Sequence, residues 1–434
     1  MSLQTTRTDE RTDDPLLAVE GLKKHFDQSG GVLDRLVGDD TTVRAVDGVD
    51  LAVEAGETLA VVGESGCGKS TLGRTILNLD DATAGSVHYD GEELTGLSAG
   101  EMRPHRRDLQ MIFQDPLAAL NPRQTVGEIL TAPMEVHDIG TDADDRTERA
   151  RDLLERVGLK PGHATRYPHQ FSGGQQQRVG IARALSLEPE LIIADEPVSA
   201  LDVSVQAQIL NLLDELQADL GLSLVFIAHD LSVVRHVADR VAVMYLGEIV
   251  ETAPVDELFE NPAHPYTRSL LSAVPRIDPG DRDERIILEG TVPSPMDPPS
   301  GCRFHTRCPA VIPPEEWPGT EEAFRDAFSF RNHVLSAELD REAAKDRLRS
   351  EDRGTDEGSV AGYFVEQLLS REPADLPSAA ADAIREAADE LAAGNRDRAE
   401  TIVAEAFPSP CEREVPQSRE ASPGHTAACH RVEE

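Results

Sequence analysis

The chain has 434 residues, 39% apolar and 28% charged, enough for a sizeable core and for more than one domain. Its 80 acidic residues against 42 basic ones leave a formal net charge of −38. That charge repels phosphate backbones and anionic head groups, which argues against a nucleic-acid or membrane-surface binder.

No stretch reaches the roughly 18 uninterrupted apolar residues of a membrane span. The start, Met1–Pro15, is polar and acidic rather than a secretory signal. A cytosolic chain that docks on a partner is expected. Lys23, Lys24, Lys69, Lys160 and Lys345 are the only lysines, so arginine carries most of the positive charge. A solvated acidic coat of this kind suits a cytoplasm of molar salt. Cysteines number 5, too few for a disulfide scaffold in a cytosolic chain of this size.

In chain order, Leu16–Phe26 reads as a strand, Gln28–Asp40 as a Gly/Asp-rich loop and Val43–Val53 as a strand pair. Thr58–Val62 is a short apolar run, the pattern of a strand buried on both faces. A glycine-rich loop follows, and Ser70–Leu79 reads as a helix. Val126–Gly158 is mostly helical with an acidic break at Gly140–Asp145, and a further helix runs from Gln175 to about Leu185. Glu190–Ala194 and Leu222–Ala228 read as buried strands, separated by a helix over Val205–Leu220. A helix over Leu231–Asp239 and a hairpin over Arg240–Glu251 follow. Alternating strands and helices predict an α/β fold with a parallel sheet covered on its faces.

Beyond about Pro254 the texture changes. Arg285–Gly290 reads as one short strand. Helical stretches follow at Glu321–Arg349, Val360–Ser370, Ser378–Ala393 and Arg396–Phe407, with a loop at Asp352–Glu357 and Gly394 as a C-terminal cap. The tail from Pro408 is polar. Ala310–Ala406 has amphipathic helices and no catalytic constellation. It reads as a solvated acidic elaboration in preference to a small regulatory or partner-binding domain.

Three motifs carry chemistry. Gly63-Glu64-Ser65-Gly66-Cys67-Gly68-Lys69-Ser70-Thr71 fits the phosphate loop, G-x-x-x-x-G-K-[ST], between a strand and a helix. The glycines let backbone N–H groups turn inward around phosphates, and the helix adds its positive end. Lys69 would reach the β- and γ-phosphates, and the Ser70 hydroxyl would hold Mg²⁺. Leu191–Pro197 is an apolar strand ending in two acids. Asp195 would emerge beside the loop and hold Mg²⁺, and Glu196 would act on the attacking water. Ser172-Gly173-Gly174-Gln175 opens a helix with a good N-cap and two exposed backbone donors, a second anion site in the same chain.

The order and spacing of these motifs resemble the ABC ATPase family. The resemblance implies a P-loop NTPase core with a mixed sheet, over residues 16–258, and a helical signature subdomain at about 100–185. It implies ATP and Mg²⁺ as ligands. Gln114 resembles the glutamine that touches Mg²⁺ and senses the permease, and Asp202, in Ser199-Ala200-Leu201-Asp202, looks like the D-loop aspartate. His229 resembles the switch histidine at the γ-phosphate, and Phe26 sits where the family stacks an aromatic on adenine. In that family two ATPase domains pair head to tail, each ATP lying between one phosphate loop and the other signature.

Asn261–Leu271 and Gly301–Pro309 resemble the C-terminal extension of oligopeptide/dipeptide importer ATPases, here residues 259–309. Its relatives serve peptides or nickel. They work with a second ATPase, two permeases and an extracytoplasmic binding protein at the cytoplasmic face of the membrane. Some carry four cysteines that hold a [4Fe–4S] cluster. Here Cys302 and Cys308 match, and Cys411 and Cys429 in the tail at 409–434 match if residues 310–408 are an irregular extension's helical insertion. Zn²⁺ is the rival for four thiolates, and scattered free thiols are the alternative to both. A soluble ABC ATPase acting on DNA or ribosomes would carry coiled-coil arms or a basic linker, and this chain has neither. A P-loop kinase or GTPase has no use for Ser172–Gln175 or His229.

Overall fold

The computed structural model describes residues 14–27, 42–199, 201–274, 286–288, 290–336, 339–369 and 375–432. The predicted loop Gln28–Asp40 and most of the acidic start lie outside them. The chain folds as two bodies, Met1–Pro262 with Glu420–Ala427, and Ala263–Arg419 with Ala428–Glu434.

In the first body, β1 (Leu17–Asp27) and β2 (Thr42–Val53) pair antiparallel. The predicted strand pair at Val43–Val53 is thus one continuous strand. With β4 (Ala84–Tyr89) and β5 (Glu92–Glu93) they form a four-stranded sheet in the order β2-β1-β4-β5.

The second sheet has eight strands. Its centre is β3 (Thr58–Val62), β7 (Leu191–Asp195) and β8 (Ser223–Ala228), buried at every position. β6 (Leu109–Ile112) lies outside β7, and β9 (Arg240–Tyr245) and β10 (Glu248–Pro254) lie beyond β3. β3, β6, β7, β8 and β9 run parallel, with Val62 opposite Ala228, Asp195 opposite Ile227 and Ile112 opposite Ala194. Their carboxyl ends therefore open on one edge of the sheet, the place where open α/β sheets bind ligands.

The helix α1 (Lys69–Ile76) packs its apolar side, Leu72 and Ile76, into the core shared with both sheets. Several short elements escape sequence pattern, among them β4, α2 (Met102–Asp108) and β6. α3 (Pro116–Ala119) follows β6, with its first turn capped by Asp115. α4 (Val126–Val136) starts at a Thr125/Glu128 capping box, and α5 (Ala143–Arg156) at an Asp142 cap. α6 (Gly173–Leu185), α7 (Val203–Leu220), α8 (Leu231–Val237) and α9 (Val255–Glu260) complete the helices of this body.

The sheet does not end where the ATPase-like sequence ends. The tail returns as β11 (Ser418–Ser422) and β12 (His425–Ala428), with β12 antiparallel to β10 through Glu251–Ala427 and Thr252–Thr426. His425 Nε2 lies 2.7 Å from Glu251 Oε1, with side chains 2% and 0% exposed. A carboxylate cannot stay buried without such a partner. A tail read as merely polar thus supplies a sheet strand.

In the second body, α10 (Pro265–Ser272) precedes α11 (Glu321–Leu335), α12 (Arg341–Ser350), α13 (Glu357–Leu368), α14 (Ser378–Ala393) and α15 (Arg396–Ala406). The single helical stretch expected at Glu321–Arg349 is two helices. The strand expected at Arg285–Gly290 is irregular where it is described, at 286–288 and 290. Phe324, Phe328, Phe330, Phe364, Ile384 and Phe407 are fully or almost fully buried in one core. This corrects the reading of the region as a solvated elaboration. The acidic residues coat the helices, while apolar residues at helical spacing meet inside.

Candidate functional site

The loop after β3 is pinned by backbone on both sides. A Cβ on Gly63 would lie 2.1 Å from the Met244 carbonyl oxygen, and one on Gly68, at φ +110°, 2.0 Å from that of Ala45. Only glycine fits either place. Glu64, Ser65 and Gly66 form the accessible tip. Cys67 is 3% exposed, and burial pushes its thiol up, so it fills space rather than reacts. Lys69 is 4% exposed, and its Nζ donates to the carbonyls of Gly63 at 2.9 Å and Glu64 at 3.0 Å. The ammonium is thus held in the concavity of the loop, at the start of α1. Thr71 follows in the first turn of that helix.

Asp195 ends β7 beside the loop because β7, β8 and β3 are in parallel register. The Ser70 hydroxyl donates to its Oδ1 at 2.8 Å. Burial pushes the Asp195 carboxyl up, and the Ser70 bond and the Lys69 charge work against that. A hydroxyl and a buried carboxylate in contact are oxygen donors of the type Mg²⁺ takes.

Glu196 sits one residue further, at φ 42° in the left-handed region. That backbone is costly for a side chain of this size and is found where surrounding structure enforces it. Its N–H donates to the Ile227 carbonyl at 3.0 Å. Its Oε2 accepts from Gln114 Nε2 at 2.9 Å and lies 3.2 Å from His229 Nδ1. Gln114 follows β6 and His229 follows β8. The three residues predicted as catalytic meet at one carboxylate oxygen, brought there by three neighbouring parallel strands.

The signature sits at the start of α6. Gln175 Oε1 accepts from the Ser172 N–H at 3.2 Å. A Cβ on Gly174 would lie 2.4 Å from Val205 Cγ1, while one on Gly173 would have room, with Leu201 at 3.7 Å. Asp202 caps α7, accepting from the Ser204 hydroxyl at 2.7 Å and the Val205 N–H at 3.1 Å, and these bonds lower its carboxyl pKa. Phe26 is 40% exposed, with Lys24 Nζ 4.8 Å from its ring centroid. Ala200 lies outside the described residues.

The four cysteines outside the loop all belong to the second body. The Cys302 N–H donates to the Cys411 carbonyl at 2.8 Å. Burial raises the Cys308 thiol, and the thiols of Cys302, Cys411 and Cys429 raise it further, so the four are neighbours. Backbone N–H groups of Ala310 and Arg431 point at the sulfurs of Cys308 and Cys429, at 3.4 and 3.5 Å. Among the described residues, however, no group of three or more His, Cys, Asp or Glu closes into a set for a metal ion.

Residues 46–199 match the model of the ABC transporter family, and residues 250–313 match that of the oligopeptide/dipeptide transporter C-terminal region. Residues 321–424 match a domain of unknown function. The oligopeptide transport ATP-binding protein AppF of Bacillus subtilis (strain 168) is 53% identical over 313 residues, 71% of this chain and 94% of that protein. OppF of Salmonella typhimurium (strain LT2), also an oligopeptide transport ATP-binding protein, is 54% identical over 72% of this chain and 95% of its own length. YkfD of Bacillus subtilis (strain 168), described as a putative protein of the same kind, is 55% identical over 69% and 89%.

Proposed function

Because the chain belongs to the ATP-binding subunits of ABC transporters, in their oligopeptide-transport branch, we propose that it is an ATPase energising the import of oligo- or dipeptides. The observation that carries the reading is the meeting of Gln114, Glu196 and His229 at the open edge beside Lys69, Ser70 and Asp195.

ATP supplies the free energy, and Mg²⁺ bound by Ser70 and Asp195, with Gln114 near it, would offset charge on its phosphates. Gly63–Thr71 cradle the phosphates through backbone N–H groups, with Lys69 turned from its loop carbonyls onto them. Glu196 orients the attacking water and takes its proton, and Gln114 and His229 hold that carboxylate in place. Phe26 offers its face to the base. Ser172–Gln175 and Asp202 serve the nucleotide of a second ATPase subunit, so the working unit is a pair, docked on two permeases and fed by a binding protein outside the cell. Its place is the cytoplasmic face of the membrane.

We also propose that Cys302, Cys308, Cys411 and Cys429 would hold a [4Fe–4S] cluster. The mutual influence of the four thiols on Cys308 and the amides on two sulfurs support it. Anaerobically purified protein is then brown and holds iron and sulfide; colourless protein without either refutes the cluster. The charge of −38 supports a working cytoplasm of molar salt. ATPase activity should rise with KCl, and full activity in dilute buffer would contradict that.

The test of cargo is uptake by the reconstituted complex. Labelled tri- and tetrapeptides should accumulate with ATP hydrolysis. Accumulation of Ni²⁺ instead, with peptides excluded, would overturn the peptide reading and leave the ATPase standing.

A further inference from the structure

The segment that carries Gln114 is weakly held. α3, directly after it, has no buried residue. A cavity of about 290 Å³ lies under it, lined by Phe113, Pro116, Ala119, Gln177 and Arg183. One side chain bridges the gap. Arg183, in the last turn of α6, donates from Nη1 to the Ala119 carbonyl at 2.6 Å, at the end of α3.

This arginine is unusual for its setting. The side chain is half-buried, burial pushes the pKa of its guanidinium down, and among the described residues no carboxylate offsets it. A half-buried cation without a countercharge carries part of the cost of desolvation and persists where something else requires it. What it does here is tie the helix that begins at Ser172–Gly174 to the segment that positions Gln114. The front of α3 is fixed by Asp115, whose Oδ1 accepts from the Leu117 N–H at 2.9 Å. The chain of contacts is then Arg183 to Ala119, through α3 to Gln114, and from Gln114 to Glu196.

We propose that Arg183 is a positioning residue for ATP hydrolysis, holding Gln114 against Glu196 and making its reach depend on where the signature helix lies. This rests on the role given to Gln114 above. Arg183 donates to a backbone carbonyl, while Lys69 and Ser70 are held by Gly63, Glu64 and Asp195, independently of it. Its loss should therefore lower kcat and leave the KM for ATP within about two-fold. A small displacement of a positioned group costs up to about 10²-fold in rate, so a drop of about 10- to 100-fold is expected. Because among the described residues no carboxylate pairs with Arg183, its removal strands no buried charge there and the variants should fold.

The test is steady-state ATP hydrolysis by the full-length chain as wild type, Arg183→Met, Arg183→Lys, Gln114→Ala and the Arg183→Met/Gln114→Ala double variant. The expected pattern is a kcat loss in Arg183→Met, recovery of most of it in Arg183→Lys, which can still donate to Ala119, and a double variant no slower than Gln114→Ala. Should Arg183→Met fold poorly, Arg183→Lys against Arg183→Gln gives the same comparison. Normal kcat in Arg183→Met, a rise in KM instead of a fall in kcat, or fully additive losses would overturn the proposal. Normal kcat in Gln114→Ala would overturn the role of Gln114 itself.

Discussion

His425→Ala should destabilise the ATPase body although it lies after most of the second body in sequence. The substitution removes one partner of Glu251, a carboxylate with no exposed side-chain surface, and leaves the charge in the sheet with one interaction fewer. Breaking a buried pair by removing one member costs about 3–5 kcal/mol. Glu251 keeps a further interaction, which puts the expected loss at the lower end, about 3 kcal/mol. His425 Nδ1 also lies 3.7 Å from Glu257, which is one-third exposed and adds little. For a body of this size about 3 kcal/mol lowers the midpoint by about 6–12 °C. Calorimetry of the full-length chain reads it in the transition that Mg-ATP raises, since ligand binding stabilises only the body that holds the site. Adding Glu251→Gln to His425→Ala removes the buried charge and should recover at least half of the loss. A midpoint unchanged by His425→Ala, or a double variant less stable than the single one, would refute the reasoning.

Gly68→Ala should abolish ATP binding, because its Cβ would lie 2.0 Å from a backbone oxygen at φ +110°; Gly162→Ala, with open space around it, should bind as wild type by equilibrium titration. Acid should weaken the second body through His264, whose pKa burial lowers from 6.5 to about 3. The unfolded chain takes up this proton below pH 6.5 while the native chain does not, so stability is full above pH 6.5 and falls as pH drops toward 3. One unit is worth about 1.4 kcal/mol, so the loss approaches about 5 kcal/mol. Urea midpoints followed by the fluorescence of Trp317, the only tryptophan, check it, and a midpoint flat from pH 7 to 5 would contradict it.

Much of the site was legible because its residues are local and its central strands are short and mostly apolar. Thr58–Val62 and Leu191–Asp195 announce buried strands, and the polar residues that follow each one fall at the same sheet edge once the strands run parallel. The convergence of Gln114, Glu196 and His229 follows from that register. β6 was hidden because Leu109–Ile112 is only four residues long and half-buried. β12 was hidden because its reason to be a strand is Glu251, far away in sequence, and His425 alone reads as a polar tail residue. The helical insertion misled for the opposite reason: its many charges suggested a solvated coat, while the phenylalanines that make its core are spread over several helices. Arg183 has no signature in sequence, since its meaning lies in a carbonyl in another segment.

Glu196→Gln tests the account most directly. The substitution keeps shape and hydrogen bonding but removes the carboxylate at which Gln114 and His229 meet. Full-length protein carrying it should bind Mg-ATP as wild type and hydrolyse it at least about 10²-fold more slowly, the usual worth of a positioned base. Hydrolysis at the wild-type rate would contradict the assignment of Glu196 and, with it, the reading of this edge of the sheet as the hydrolytic site.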